Sequence, residues 1–243
     1  MSIRITAATA KRVLLQLRHD PRTIALLLVV PCVLVTLIKY VFSGSGVFDR
    51  IGGPLLGLFP LLSMFLVTSI AMLRERTTGT LERLLTMPLA KLDLLLGYAV
   101  AFAAMAVVQA VLVSAVAFGA LDLHVAGAKW GVILLAIANA LLGMSLGLFV
   151  SAFARSEFQA VQFLPAFILP QLLLCGLLAP RGNMARPLEI ASWGAPMTYA
   201  YGALDRVSRG AYGATLVGYI LAVEGFTLLA LVLGASTLRR RTG

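Results

Sequence analysis

The side chains able to do acid–base, nucleophilic or metal chemistry in this 243-residue chain are few: two histidines, two cysteines and ten acids. Their spacing argues against an active centre. His19 and His124 fall in polar segments separated by three apolar runs, and no His-Glu-x-x-His places two imidazoles and a base on one helix face. Cys32 and Cys175 lie inside apolar runs, without disulfide or metal spacing, and read as small buried hydrophobes. Asp122 and Asp205 sit in segments between the spans, and no two acids meet within an apolar run. A phosphate cradle needs Gly-x4-Gly-Lys-Ser/Thr, so that backbone amides and a lysine surround the anion; the sequence has no such run. The chain reads as a non-enzyme that cannot hydrolyse a nucleotide by that chemistry.

Glu224 is the exception in position, because it falls midway along an apolar run, where a charge costs from ~2.5–3.5 kcal/mol upward. It either couples protons to transport or is protonated or hydrogen-bonded within a helix bundle. The second reading is preferred, since the only other charge inside an apolar run is Lys39 near an end. A further set of polar residues, Gln109, Asn139, Gln159, Gln162 and Gln171, either lines a conduit or ties helices together. Gln159 and Gln162 share a face at i, i+3 and are the expected path residues, with Phe163 and Phe167 as an apolar wall beside them.

The stretch RERTTGTLERLLTMP, residues 74–88, has a mechanical rather than a chemical character. Thr80 can cap a helix over 81–87, Glu82 suits the positive end of its dipole, and Pro88 stops it. Leu81, Leu84 and Leu85 fall on one face of this two-turn helix, with Glu82, Arg83 and Thr86 elsewhere. So short a helix is marginal alone, but each leucine gains on the order of 1.5–3 kcal/mol if buried against something. It either rests on lipid or plugs into a partner. Arg74, Glu75, Arg76, Glu82 and Arg83 are expected to set docking register.

The elements that hold these residues follow from composition. The chain is 60% hydrophobic and only 12% charged, against roughly 25% charged in soluble domains. Its apolar residues gather in runs near the ~20 residues that cross a hydrocarbon core. An all-α integral membrane protein with six spans is predicted, at about 23–42, 54–73, 94–121, 130–153, 158–178 and 214–238. The net charge of +10 belongs to membrane flanks and leaves no soluble basic domain for nucleic acid. Residues 1–22 predict a basic amphipathic helix from Thr6 to His19 at the membrane surface, apolar side in lipid, ended by Asp20-Pro21. They do not read as a signal peptide, because no Ala-x-Ala cleavage site follows.

An even span count puts both termini on one side. Thirteen cations lie on that side, including Arg4, Arg12, Arg74 and Arg155, and seven on the other: Lys39, Arg50, Lys129, Arg181, Arg186, Arg206 and Arg209. Both termini and residues 74–93 are therefore expected in the cytoplasm. Residues 179–210 are too apolar for a solvated loop and too broken for a span. They predict two short re-entrant helices on the outer side, one opened by Pro187 and ended at Trp193 by Gly194, the other running from Pro196 to about Ser208. The run 143–147, bounded by glycines, predicts close helix packing.

Glu75-Arg76, Gly79-Thr80-Leu81-Glu82, Leu84-Leu85, Pro88 and Gly97-Tyr98 together resemble the signature of ABC-2 type transporter permeases, similar to daunorubicin-resistance and nodulation-factor export permeases. The resemblance extends to Arg18, Asp20-Pro21-Arg22, to Phe163, Pro165, Pro170 and Gly176, and to Pro187, Trp193 and the run Pro196-Met197-Thr198-Tyr199-Ala200. It implies one transmembrane domain over residues 1–243: a connecting helix within 1–22, a coupling helix within 74–93 that docks into an ATPase, and outer helices within 179–210. It also implies a dimer, with a second copy or a sister permease, in the bacterial cytoplasmic membrane above two ABC ATP-binding subunits. ATP and Mg would sit on those partners, and no cofactor or metal on this chain. The implied cargo is an amphipathic, drug-like or lipid-like compound moving outward. Polysaccharide or glycolipid export and a proton-coupled secondary transporter are the alternatives.

Overall fold

The computed structural model describes residues 3–79 and 91–237, all of whose regular elements are helical. In chain order they are α1 (Ile3–Arg18), α2 (Pro21–Val41), α3 (Val47–Thr77), α4 (Lys91–Ala115) with a π-turn at Val116–Ala120, α5 (Lys129–Val150), α6 (Glu157–Phe163), a second π-turn at Leu164–Ile168, α7 (Leu169–Leu174), a short 3₁₀ turn at Arg181–Asn183, α8 (Arg186–Trp193), α9 (Pro196–Ser208) and α10 (Ala214–Ser236). Six of these segments are long and apolar enough to cross a membrane, taking α6 through α7 as one. This is a multi-pass membrane protein.

α3 and α5 form the centre. In their most apolar windows 61% and 67% of residues are buried within the chain, against 17% in α2 and 22% in α10. The outer helices thus leave leucine- and valine-rich faces uncovered, which suits hydrocarbon surroundings. The two central helices approach to backbone contact. A Cβ added at Gly143 would overlap the Leu61 carbonyl, and one at Gly147 would press on the Phe65 carbonyl. The close packing predicted for 143–147 is present, and a side chain would wedge the core apart. Gly143→Val is expected to destabilise the chain by on the order of 3 kcal/mol. A lowered thermal midpoint in detergent checks this, against Gly218→Val, where nothing lies within 4 Å.

Several boundaries differ from the sequence pattern. Pro54 reads as a helix start, yet α3 begins at Val47, after Gly46 in the left-handed region at φ 69°. Its first turns are held by packing: Phe48 is buried, Gly52 faces Leu123 and Gly53 faces Ser208. The fifth span is broken at Leu164–Ile168, where Pro165 lacks the amide that a regular helix needs. α1 also differs. Its apolar stripe of Ala10, Val13 and Leu17 joins a protein core with Met72, Tyr98 and Phe102 instead of facing lipid. Gly97 makes this possible, because any side chain there would strike Thr9. The two short helices predicted from Pro187 and Pro196 are present as α8 and α9. Tyr199 donates to the Trp193 carbonyl at 2.7 Å across their corner.

Candidate functional site

The end of α3 carries the first three charged residues of the stretch 74–88, and each holds a different part of the chain. Arg74 reaches Glu157 at the start of α6 with a two-pronged pair, Nε–Oε1 2.6 Å and Nη2–Oε2 3.1 Å, and lies 3.6 Å from Asp20 at the start of α2. Glu75, nearly buried, pairs with Arg12 of α1 at 3.6 Å. Arg12 also donates to the Tyr98 hydroxyl of α4 and lies against that ring. Arg76 donates to Thr237 Oγ1, just beyond α10, at 3.1 Å. Three consecutive side chains therefore tie α1, α2, α4, α6 and the end of α10 to one turn of α3. The guanidinium fork of Arg74 fits two carboxylate oxygens at once, which fixes direction as well as distance.

These ties occupy one rim of the bundle, here termed the N-terminal rim because α1 lies there. Asp20 also caps α2, accepting from the Thr23 amide at 3.2 Å and its hydroxyl at 2.7 Å. Those bonds, with Arg74 beyond, hold its carboxyl below the usual range. The remaining predicted docking residues, Thr80, Leu81, Glu82, Arg83, Leu84, Leu85 and Pro88, lie outside the described residues, immediately beyond Gly79. Gly79 itself has φ 70°, a left-handed turn after α3. Among the tied residues, Arg12 and Glu157 carry no local signal. Arg12 is one of several cations along α1, whereas Glu157 is a scarce acid at the start of an apolar run, and that scarcity marks it as a pairing partner.

Behind the ties runs a groove of about 680 Å³ between α2 and α3, with α1, α4 and the second π-turn contributing. Gln16, Asp20, Arg74, Glu75 and Thr78 line its polar mouth. Its floor is apolar: Leu26, Val30 and Leu34 of α2, Phe59, Leu62, Leu66 and Ile70 of α3, Phe102 of α4 and Leu164. Arg74 and Glu75 thus belong to both features, so whatever shifts this turn also reshapes the mouth.

The predicted path residues sit elsewhere on the fifth span. The Gln159 side chain accepts from the Arg155 amide at 2.9 Å, and Gln162 lies exposed on α6. Neither lines the groove, to which that span contributes Leu164. Phe167 stacks on Phe65 at 6.4 Å, and Phe163 packs beside Leu73 and Ala160. The other amides tie helices. Gln109 donates to Ser63, Asn139 to the Ala200 carbonyl at 3.3 Å, and Gln171 spans the Phe167 carbonyl and the Met197 amide. His19 and His124 lie at opposite rims, the latter donating its amide to Asp49.

Glu224 requires a correction. It lies near the middle of the 23-residue α10 but on its exposed face, not within the bundle. The inward stripe is Leu216, Val223, Thr227, Ala230 and Gly234, and one residue beyond Val223 turns the side chain about 100° away.

Six apolar helices, with ion pairs joining α1, α3, α6 and the start of α2 at one rim beside a groove with a polar mouth and an apolar floor, define a multi-pass membrane protein. Residues 5–207 match the ABC-2 type transporter family, and the chain belongs to that family. It is 30% identical over 148 residues to the probable multidrug ABC transporter permease YbhR of Escherichia coli strain K12, which covers 60% of this chain and 39% of that protein. It is 28% identical over 114 residues to ABC transporter G family member 20 of Dictyostelium discoideum, covering 47% of this chain and 16% of that protein. The chain thus spans about two fifths or less of the length of these curated relatives. Permeases of this family work with an ATP-binding subunit and often as dimers.

Proposed function

We propose that this chain is the membrane subunit of an ATP-driven exporter that moves an amphipathic, drug-like or lipid-like compound out of a bacterial cell. In this reading the N-terminal rim faces the cytoplasm and α8 and α9 dip into the outer leaflet. Residues 1–243 act as one transmembrane domain. Two copies, or one copy and a sister permease, stand over two ABC ATPases that carry the ATP and Mg. The helix expected over 81–87 docks into an ATPase through Leu81, Leu84 and Leu85, while Thr80, Glu82, Arg83 and Pro88 set its ends and register. Arg74, Glu75 and Arg76 pass its displacement to the other helices.

The observation that carries this reading is the double membership of Arg74 and Glu75, in the ties and in the mouth of the groove. Movement of the turn that leads to the docking segment becomes movement of the opening. The apolar floor favours an amphipathic cargo over a polysaccharide, whose hydroxyls would lose water there without partners. The relative named as a probable multidrug permease agrees with that class. A proton-coupled carrier is disfavoured by Glu224, which faces away from the groove-lining helices.

The test is co-expression with an ABC ATPase encoded beside the gene. Co-purification and ATP hydrolysis stimulated by amphipathic compounds are expected. Leu84→Asp should abolish co-purification, because a buried carboxylate without a partner costs several kcal/mol. Unchanged association in that variant, with transport intact, would sink the docking role.

A further inference from the structure

At the rim opposite the ion-paired one lies a second cavity, of about 800 Å³, and four arginines converge on it. They come from three separate places: Arg50 in the first turn of α3, Arg181 in the short turn Arg181–Asn183, and Arg206 and Arg209 at the end of α9. Only two acids line the same space, Glu189 and Asp205. Asp205 is occupied by Arg209, with Oδ1 2.8 Å from Nη2. Among the described residues no carboxylate lies within ion-pair distance of Arg50, Arg181 or Arg206.

Aromatic faces hold two of these cations without neutralising them. The Arg181 guanidinium lies 3.9 Å over the Trp193 ring and that of Arg206 5.5 Å from the Tyr219 ring. Such stacking fixes the plane of the fork and leaves its N–H edges free to donate. Two buried polar atoms in the cavity lining also lack a partner: Arg181 Nε, and the hydroxyl of Thr198, a residue only 1% exposed. Buried donors are nearly always satisfied, so orphans beside surplus positive charge mark the place of an acceptor-rich anion.

We propose that this cavity binds a phosphate group, with Arg181 and Arg206 as its principal donors, Arg50 supplying charge and Thr198 a further hydrogen bond. Guanidinium forks match the paired oxygens of phosphate as they match those of a carboxylate, and three unpaired cations favour a group of more than one negative charge. The wall beside the arginines includes Leu177, Leu178 and Trp193, and the latter two are exposed at its edge. The phosphate of a lipid headgroup and free phosphate share the required chemistry. Placement at the outer leaflet rests on the orientation proposed above; the cavity does not.

The full chain in maltoside micelles and phosphate-free buffer, carrying Trp130→Phe, leaves Trp193 as the fluorescent reporter beside Arg181. The probes are inorganic phosphate and dihexanoylphosphatidylglycerol, with dihexanoylglycerol as the uncharged control. A saturable change in Trp193 emission is expected with at least one phosphate-bearing probe and none with the control. Response to the lipid alone identifies a headgroup site, and response to inorganic phosphate alone a free-anion site; either supports the proposal. The dissociation constant should rise about tenfold in Arg181→Gln and in Arg206→Gln. It should rise less in Arg181→Lys and stay unchanged in Arg186→Gln, a cation of the same rim that does not line the cavity. Thermal midpoints without probe verify that each variant is folded. No response to either probe, or equal responses in the parent and the glutamine variants, overturns the proposal. Since no ATPase is present, the result is independent of the exporter reading.

Discussion

Replacing Arg74 with glutamate is expected, if the chain works as the exporter subunit proposed above, to lower ATP-dependent transport at least about tenfold while the chain still inserts and still binds the proposed ATPase. The substitution removes a two-pronged pair and brings three carboxylates together, those of Asp20, Glu157 and the new side chain. At ~4 Å each repulsion is worth about 1 kcal/mol in water and up to about 4 kcal/mol near a protein surface. Arg74 and Glu157 are half exposed, with 51% and 53% of their side chains accessible, so the lower value applies. Stability should fall little, yet α2 and α6 would no longer follow the end of α3. ATP hydrolysis should continue without transport. Adding Glu157→Arg restores a pair of opposite sign and is expected to recover transport to within about threefold of the parent, the residual loss reflecting Asp20. Arg74→Lys keeps the charge without the fork and should fall between the two. Full transport in Arg74→Glu, or a folded double variant with no recovery, would rule out this tie as a transmitting element.

The reach of these ties explains what the amino-acid pattern reveals and what it conceals. Spans are legible because a run of apolar residues needs no partner to declare itself, and α2, α5 and α10 fall within a few residues of the runs that predict them. Helix ends fixed by local chemistry are legible too, as with Pro196 opening α9 and Asp20-Pro21 ending α1. The start of α3 is not. Pro54 looks like a beginning, yet Val47–Gly53 is already helical and packs against Leu123 and Ser208, far along the chain. Arg74, Glu75 and Arg76 read locally as a charged surface for another protein. In the fold their partners lie 83 positions away at Glu157 and 161 positions away at Thr237, separations that no helical periodicity encodes. The groove is hidden for the same reason, since its walls come from five parts of the chain. Glu224 misleads in the opposite way: the pattern places it at mid-span, but the face it occupies depends on which stripe of α10 packs inward.

The groove supplies the second large effect. Leu62→Trp/Leu66→Trp sets two indole rings into the apolar floor, one turn apart on the same side of α3. Both leucines are only partly buried, so the rings can extend into open space instead of displacing core atoms. If the groove passes the proposed amphipathic cargo, transport of bulky compounds should drop about tenfold or more, and small ones should be less affected, because a constriction discriminates by size whereas a loss of hydrophobic contact does not. Basal ATP hydrolysis and the Arg74–Glu157 tie should be unaffected, since neither touches the substituted positions. The complementary change, Phe59→Ala, widens the floor and should extend the range toward larger cargo. Some stability would be lost with the phenyl ring, on the order of 3 kcal/mol if it were fully buried and less here because it is not. A panel of dyes of graded size, assayed in proteoliposomes against thermal midpoints, separates passage from packing. Size-dependent loss with an unchanged midpoint assigns the groove to the cargo. Equal loss for every dye, tracking a lowered midpoint, would make these leucines part of the scaffold and require the cargo to cross by another route.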